Sequence, residues 1–409
     1  MPDGAPRRSR GGLPLARPTA RGWAVLIVGL LLLIASAQPG LSSLAWPACL
    51  ALAAPAVAAL ATLLRTRASV LARSITPDVA MVGEPVVVEV RVGAAAGAAR
   101  WSDARSADLV GAADGILRRD ADGVPTAVAS VTATRRGRHE TGPLSIEVAD
   151  AFGLVRARRM LSGTAGFVAL PAIASLSAPP TAADGGVAAT SDARRGVARG
   201  FEDQIPREWR SGDGIRRVHW RATAHRGALM VRQEEPHEDV GVAIVLDAAA
   251  PGYLDADELD RAVDLVAAIA AASVEVDART AVTVLGDDTG VDHGGADEAT
   301  MLVGGAGATS TLEDVLVRLA LLHPGPIPDG RPAVPAAPVV VAVLGRIDES
   351  RAAVLASVRR SGSRGIAIVQ GRPGAAVLGV LEHAGWSVTA WDAAQSPVSV
   401  WALATAGAP

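Results

Sequence analysis

From Gly22 to Leu64 the chain runs for 43 residues without a charged side chain, and arginines stand on both sides of the run. Hydrocarbon tolerates apolar helices and penalises charge, so a run of this length predicts membrane-spanning helix. Gln38-Pro39-Gly40 interrupts it with a turn signal. That divides it into a hairpin of two spans, 22–38 and 41–64, each near the roughly 20 residues that cross a bilayer. Arg7, Arg8, Arg10, Arg17 and Arg21 precede the first span, in a basic cytoplasmic tail over 1–21, and Arg65, Arg67 and Arg73 follow the second. With an uncharged connecting turn, the positive-inside rule puts both ends in the cytoplasm and makes the chain a multi-pass protein of the inner (cytoplasmic) membrane. Ala35-Ser36-Ala37 also fits a signal-peptide cleavage site, but the longer span behind it would still anchor the chain.

The pattern then changes to period two. Val86, Val88, Val90 and Val92 share one face of a strand, as do Leu144, Ile146 and Val148, and Gly83-Glu84-Pro85 and Thr141-Gly142-Pro143 supply turns. Residues 74–174 are thus expected to form a small all-β, sandwich-like domain, with Asp103–Gly123, poor in apolar residues, as a long connection. A linker rich in Ser, Ala, Pro and Gly is expected over 175–193. In the rest of the chain, 194–409, apolar runs alternate with helical stripes. Val240–Leu246, Thr280–Leu285, Val339–Leu344, Gly365–Val369 and Ser387–Ala390 read as strands, and Leu259–Val276, Leu312–Leu322, Glu349–Arg360 and Ala375–Ala384 as helices. That alternation predicts an open, mostly parallel α/β sheet, with Pro324–Pro338 as an exposed loop.

Composition adds little beyond local charge. The 39 basic residues are all arginine, the net charge is −3, and the single cysteine, Cys49, lies inside the second span. Internal disulfides and cysteine-ligated zinc are excluded. The densest chemistry lies at Arg207–Arg232. Between Arg194 and Arg232 ten arginines face four acids, and Trp209 and Trp220 are interleaved with them. Guanidinium groups pair with carboxylates or phosphates and stack on indoles, so the segment suits either an internal Arg–acid–Trp network around Gly212-Asp213-Gly214 or a surface for protein or anionic lipid. His219 and His225 lack an acid set with metal-ligand spacing. No P-loop, dinucleotide-binding glycine pattern or nucleophile elbow is present, and Asp287-Asp288 and Asp292-His293 read as solvated loop charges. Neither catalytic residues nor a cofactor is expected.

The Arg207–Arg232 block closely resembles the signature of the bacterial domain of unknown function 58 family. Arg207, Glu208, Gly212, Asp213, Arg216, Trp220, Leu229, Val231 and Arg232 match it in order and spacing, with Trp209 in place of a tyrosine and His225 in place of an arginine. Arg135–Leu144 (RRGRHETGPL) and Asp150–Leu154 (DAFGL) are further family-like blocks. The resemblance implies a multidomain architecture: two transmembrane helices, a β-rich domain, then an α/β open-sheet domain similar to von Willebrand factor A. Within it Arg207, Glu208, Trp209, Gly212, Asp213, Arg216, Arg217, His219, Trp220, Arg226 and Arg232 are the expected signature or interaction residues. Metal-binding relatives of that fold carry two hydroxyls after the first-strand aspartate. Here the position reads Asp247-Ala248-Ala249-Ala250, a later aspartate is replaced by Gly345-Arg346, and Thr309 or Thr311 is the remaining candidate for a distal ligand. No metal is expected, and Asp247 is the remnant of a degenerate site. The resemblance further implies an adaptor for a MoxR-type AAA+ ATPase, with no catalysis. The alternatives are a binder of anionic lipid or nucleic acid through the arginines, nucleic acid being the lesser expectation, and a metal-dependent enzyme.

Overall fold

The computed structural model describes residues 15–65, 69–93, 99–180, 206–208, 230–232, 240–287, 300–304, 308–327, 331–392 and 394–406. The chain divides into two units, Met1–Ala172 and Ile173–Pro409.

In the first unit the uncharged run folds as α1 (Ala20–Ser36) and α2 (Ala45–Arg65). Their buried positions are small and seven residues apart: Gly22 and Gly29 on α1, Ala48, Pro55 and Thr62 on α2. A Cβ on Gly29 would stand 3.0 Å from the Ala51 methyl, so the small residues let the two helices approach closely. The larger side chains face outward, among them Ile27, Leu31, Ile34, Leu50, Val57 and Leu60. Ser42–Leu64 is long and apolar enough to cross a membrane, with 17% of that span buried; Ala20–Ser36, at 17 residues, is a shorter apolar helix.

The β-rich part begins earlier than the alternation indicates, because the stretch read as a basic tail contributes β1 (Leu15–Pro18) and β2 already starts at Ser69 (Ser69–Thr76). There follow β3 (Val79–Met81), β4 (Pro85–Gly93), β5 (Arg100–Arg105), β6 (Leu109–Gly111), β7 (Asp114–Ile116), β8 (Arg118–Arg119), β9 (Pro125–Ala133), β10 (Gly137–Ala149), β11 (Val155–Leu161) and β12 (Ala165–Leu170). One sheet runs β1-β11-β10-β12-β3, with β5 on β10 and β7 on β5; the other runs β2-β4-β9-β6, with β8 on β9. Val86, Val88, Val90 and Val92 pack against Trp101, Leu144, Ile146 and Phe167 in one core. Arg73 of β2 donates to both carboxylate oxygens of Asp103 on β5, at 2.7 and 2.8 Å, which ties the sheets together. The connection expected over Asp103–Gly123 is therefore corrected: it contributes the end of β5 and all of β6, β7 and β8. Strands of two or three residues are too short to show period two, yet Leu109 of β6 is buried, as is Leu117 between β7 and β8.

The second unit is built on a six-stranded sheet. Its strands are β15 (Val242–Asp247), β16 (Thr280–Leu285), β17 (Thr300–Val303), β18 (Val339–Leu344), β19 (Arg364–Gln370) and β20 (Trp386–Trp391), preceded by a short ribbon of β13 (Pro206–Glu208) and β14 (Met230–Arg232). The order is β17-β16-β15-β18-β19-β20, parallel throughout except for β17, an antiparallel edge. The helices are α3 (Ala256–Glu275), α4 (Leu312–Leu321), α5 (Glu349–Ala356), α6 (Ala375–His383) and α7 (Pro397–Ala406). Every residue of β15, β16 and β18 is buried, as expected of strands covered on both faces. Ala243 and Val245 pack with Leu355 and Leu381 of α5 and α6, so the alternate residues Ile244 and Leu246 face the other layer. The sheet is wound from its centre, so the strand order reverses between β15 and β18, where open α/β sheets form a crevice at their carboxyl ends.

Candidate functional site

Two capped helices deliver side chains to that crevice. Asp348 caps α5, and its Oδ1 accepts from the Arg351 backbone N–H at 2.7 Å. Arg351, three residues on, sends its guanidinium to Asp247 at the end of β15, with Nε 3.0 Å from Oδ2 and Nη2 3.1 Å from Oδ1. Both side chains are buried, at 7% and 3% exposure. Asp255 caps α3 in the same way, accepting from the Glu258 N–H at 2.8 Å. The Glu258 carboxylate accepts from Leu254 N–H at 2.8 Å and from both terminal nitrogens of Arg346, which follows β18. The Arg346 guanidinium, followed by burial acting in the opposite sense, sets the Glu258 carboxyl at about 2, well below the usual carboxylate range. The Gln370 carboxamide, buried at the end of β19, also contributes to that lowering, although neither of its polar atoms makes a hydrogen bond of full geometry.

The backbone closes what the ion pairs fill. Arg346 N–H donates to Gly252 O at 2.7 Å, and a Cβ on Gly345 would stand 2.6 Å from that same oxygen. Ala248 and Ala249 are buried, and Ala250 N–H donates to Gly325 O at 2.8 Å. The loop read as exposed over Pro324–Pro338 thus seals the positions next to Asp247 at its Pro324–Pro326 end. Asp287 is likewise no solvated charge: its carboxylate is 5% exposed and lies 3.8 Å from Arg318.

A divalent cation does not fit this donor set. Both Asp247 oxygens are engaged by Arg351, the following Ala248, Ala249 and Ala250 offer no side-chain oxygen, and a hard cation takes oxygen donors. Thr311, a candidate distal ligand, is instead the N-cap of α4, in a reciprocal capping box with Asp314. Among the described residues no group of three or more His, Cys, Asp or Glu side chains converges. A cleft of about 830 Å³ lies elsewhere, lined by Leu302, Val334, Val358, Arg331 and Arg360 among others, without a carboxylate.

Of the expected signature residues, Arg207, Glu208 and Arg232 lie on the ribbon, where Arg207 pairs with Val231, Glu208 with Met230 and Pro206 with Arg232. The two ends of the arginine-rich block are thereby brought side by side. Trp209, Gly212, Asp213, Arg216, Arg217, His219, Trp220 and Arg226 lie outside the described residues. Sequence reading found Asp247 but missed its partner Arg351, and it missed Glu258 and Gln370 of the second cluster. The available signal was an aspartate cap three residues before Glu258 and again before Arg351, each just after a buried strand.

A family model described as "Protein of unknown function DUF58" matches residues 206–302, from the first strand of the ribbon into β17. No curated protein matches the chain. Over residues 206–302 the chain is therefore similar to the domain of unknown function 58 family.

Proposed function

We propose that the protein is a membrane-anchored interaction module: α1 and α2 form a multi-pass hairpin in the inner membrane, and both folded units stand in the cytoplasm. Its second unit is read as similar to von Willebrand factor A, with loops at the strand carboxyl ends offered to a protein partner. The observation that carries this reading is the Asp247–Arg351 pair, which fills the place where an open α/β sheet holds a ligand. A rigid, sealed edge suits recognition of a macromolecular surface, and in this reading the protein recognises and does not catalyse. The bilayer reading is supported by the apolar outward faces of α1 and α2, a pattern that soluble chains rarely expose over so large an area. The expected partner remains an AAA+ ATPase of the MoxR type.

The test is purification of the tagged full chain from its own membranes in mild detergent, with mass-spectrometric identification of companions. An ATPase of that type at near-stoichiometric yield is expected, and its absence from crosslinked and uncrosslinked preparations alike would refute the adaptor role. Protease added to spheroplasts should leave both units intact. The ribbon favours a second reading as an anion binder, because it sets Arg207 and Arg232 on adjacent strands. Anionic-vesicle binding that falls steeply with salt would favour that reading over a salt-tolerant protein complex.

A further inference from the structure

Phe152 is 78% exposed at the tip of the turn between β10 and β11. Asp150 builds that turn, its carboxylate accepting from Phe152 N–H at 2.9 Å and Val155 N–H at 2.6 Å. The same turn is fastened to the start of α1. Thr19 donates through its N–H to Leu154 O at 2.8 Å and through Oγ1 to Gly153 O at 2.6 Å. A Cβ on Gly22 would fall 2.1 Å from Leu154 O, so the first turn of α1 lies directly against this loop. The Arg21 Nη1 is 3.8 Å from where a Cβ on Gly153 would be. On the outward face of the sheet Arg17 stands directly opposite Arg156, and both are exposed. Like charges at opposed positions repel, and Glu147, 3.5 Å from Arg156, supplies one anion for the pair.

We infer that the Asp150–Leu154 turn is a bilayer-interface anchor, in which Phe152 sits at the headgroup–acyl boundary while Arg17, Arg21 and Arg156 hold the phosphates of anionic lipid. The inference rests on the proposed reading of α1 and α2 as membrane helices. If α1 enters the bilayer at Ala20, a turn hydrogen-bonded to Thr19 is at headgroup depth. An aromatic ring facing outward at that depth is placed as interfacial aromatics are, and the arginines lie where anionic headgroups concentrate. The anchor would hold the β-rich unit in a fixed orientation on the membrane, rather than leaving it to pivot on the chain ends.

The experiment uses the full chain in vesicles of phosphatidylcholine alone or with roughly a third phosphatidylglycerol, an anionic content that makes the surface potential more negative. A nitroxide is placed on native Cys49, or, in a Cys49→Ala background, on Phe152→Cys or Asp122→Cys. Collision with oxygen against a water-soluble nickel chelate reports depth. The expected result is lipid-like accessibility at 49, interfacial at 152 and aqueous at 122, with the label at 152 deeper in anionic vesicles and Arg17→Gln/Arg156→Gln abolishing that difference. An aqueous label at 152 beside a lipid-like label at 49 overturns the anchor and leaves the membrane helices standing. An aqueous label at 49 overturns the helices and the anchor together. Equal depth at 152 in both vesicle types overturns the role given to the arginines.

Discussion

Replacing Arg351 by methionine leaves the Asp247 carboxylate buried at 3% exposure without its two hydrogen bonds at 3.0 and 3.1 Å. Removing one member of a buried ion pair costs about 3–5 kcal/mol, because the charge left behind cannot regain water and keeps only the long hydrogen bond from Ala249 N–H at 3.4 Å. The second unit should lose that much stability in the Arg351→Met chain and a similar amount in Asp247→Asn. The double variant carries no buried uncompensated charge, and its loss should be only about 1–2 kcal/mol, since apolar or neutral replacement of a whole pair is often nearly neutral. Hydrogen exchange of the β15 and β18 amides reads this in the intact, detergent-solubilised chain, because the slowest amides report global opening. At 1.4 kcal/mol per factor of ten, each single variant should exchange about 10²- to 10⁴-fold faster, and the double variant about tenfold faster. A change below about fivefold in Arg351→Met, or a double variant as damaged as the summed singles, would refute the view that this pair seals the crevice.

Other consequences are equally measurable. Because the Glu258 carboxyl sits at about 2 against its ordinary 4.5, its contribution is complete above pH 4.5 and is lost as pH falls towards 2. That gap corresponds to about 3 kcal/mol, reduced to roughly 1–2 kcal/mol because Arg346 is 38% exposed; Glu258→Gln should flatten the acid limb of the stability profile between those pH values. Gly345→Ala drives a methyl group to 2.6 Å from Gly252 O, and since the obstacle is backbone, a loss of about 1–3 kcal/mol is expected by chemical denaturation. Gly22→Ala should detach the start of α1 from Leu154 and accelerate exchange at the Thr19 and Val155 amides, with β15 unaffected. Arg73→Ala leaves Asp103, 10% exposed, without its bidentate partner, so the β-rich unit should lose about 3–5 kcal/mol.

What the sequence by itself determined is what burial writes into local pattern. β16 and β18 are legible to the residue, as Thr280–Leu285 and Val339–Leu344, because a strand covered on both faces must be apolar without interruption. The uncharged run over 22–64 announced two helices because an apolar stretch and the Gln38-Pro39-Gly40 turn signal that divides it are both local features. The family signature was likewise legible, since it is a matter of residue identity and spacing. Strands of two or three residues such as β7 and β8 were not, because so short a segment is held by its neighbours and shows no period of its own. β1 was hidden among arginines for the same reason: its pairing with β11 lies some 140 residues away in the chain. Tertiary structure alone decided the candidate site. Asp247 and Arg351 are 104 positions apart, and Glu258 and Arg346 are 88 apart. No local rule distinguishes an arginine that will be buried against a carboxylate from one that will stay in water. Only the winding of the sheet outward from β15 brings these four side chains to one edge, where a crevice that could have held a ligand is filled by the chain's own charges.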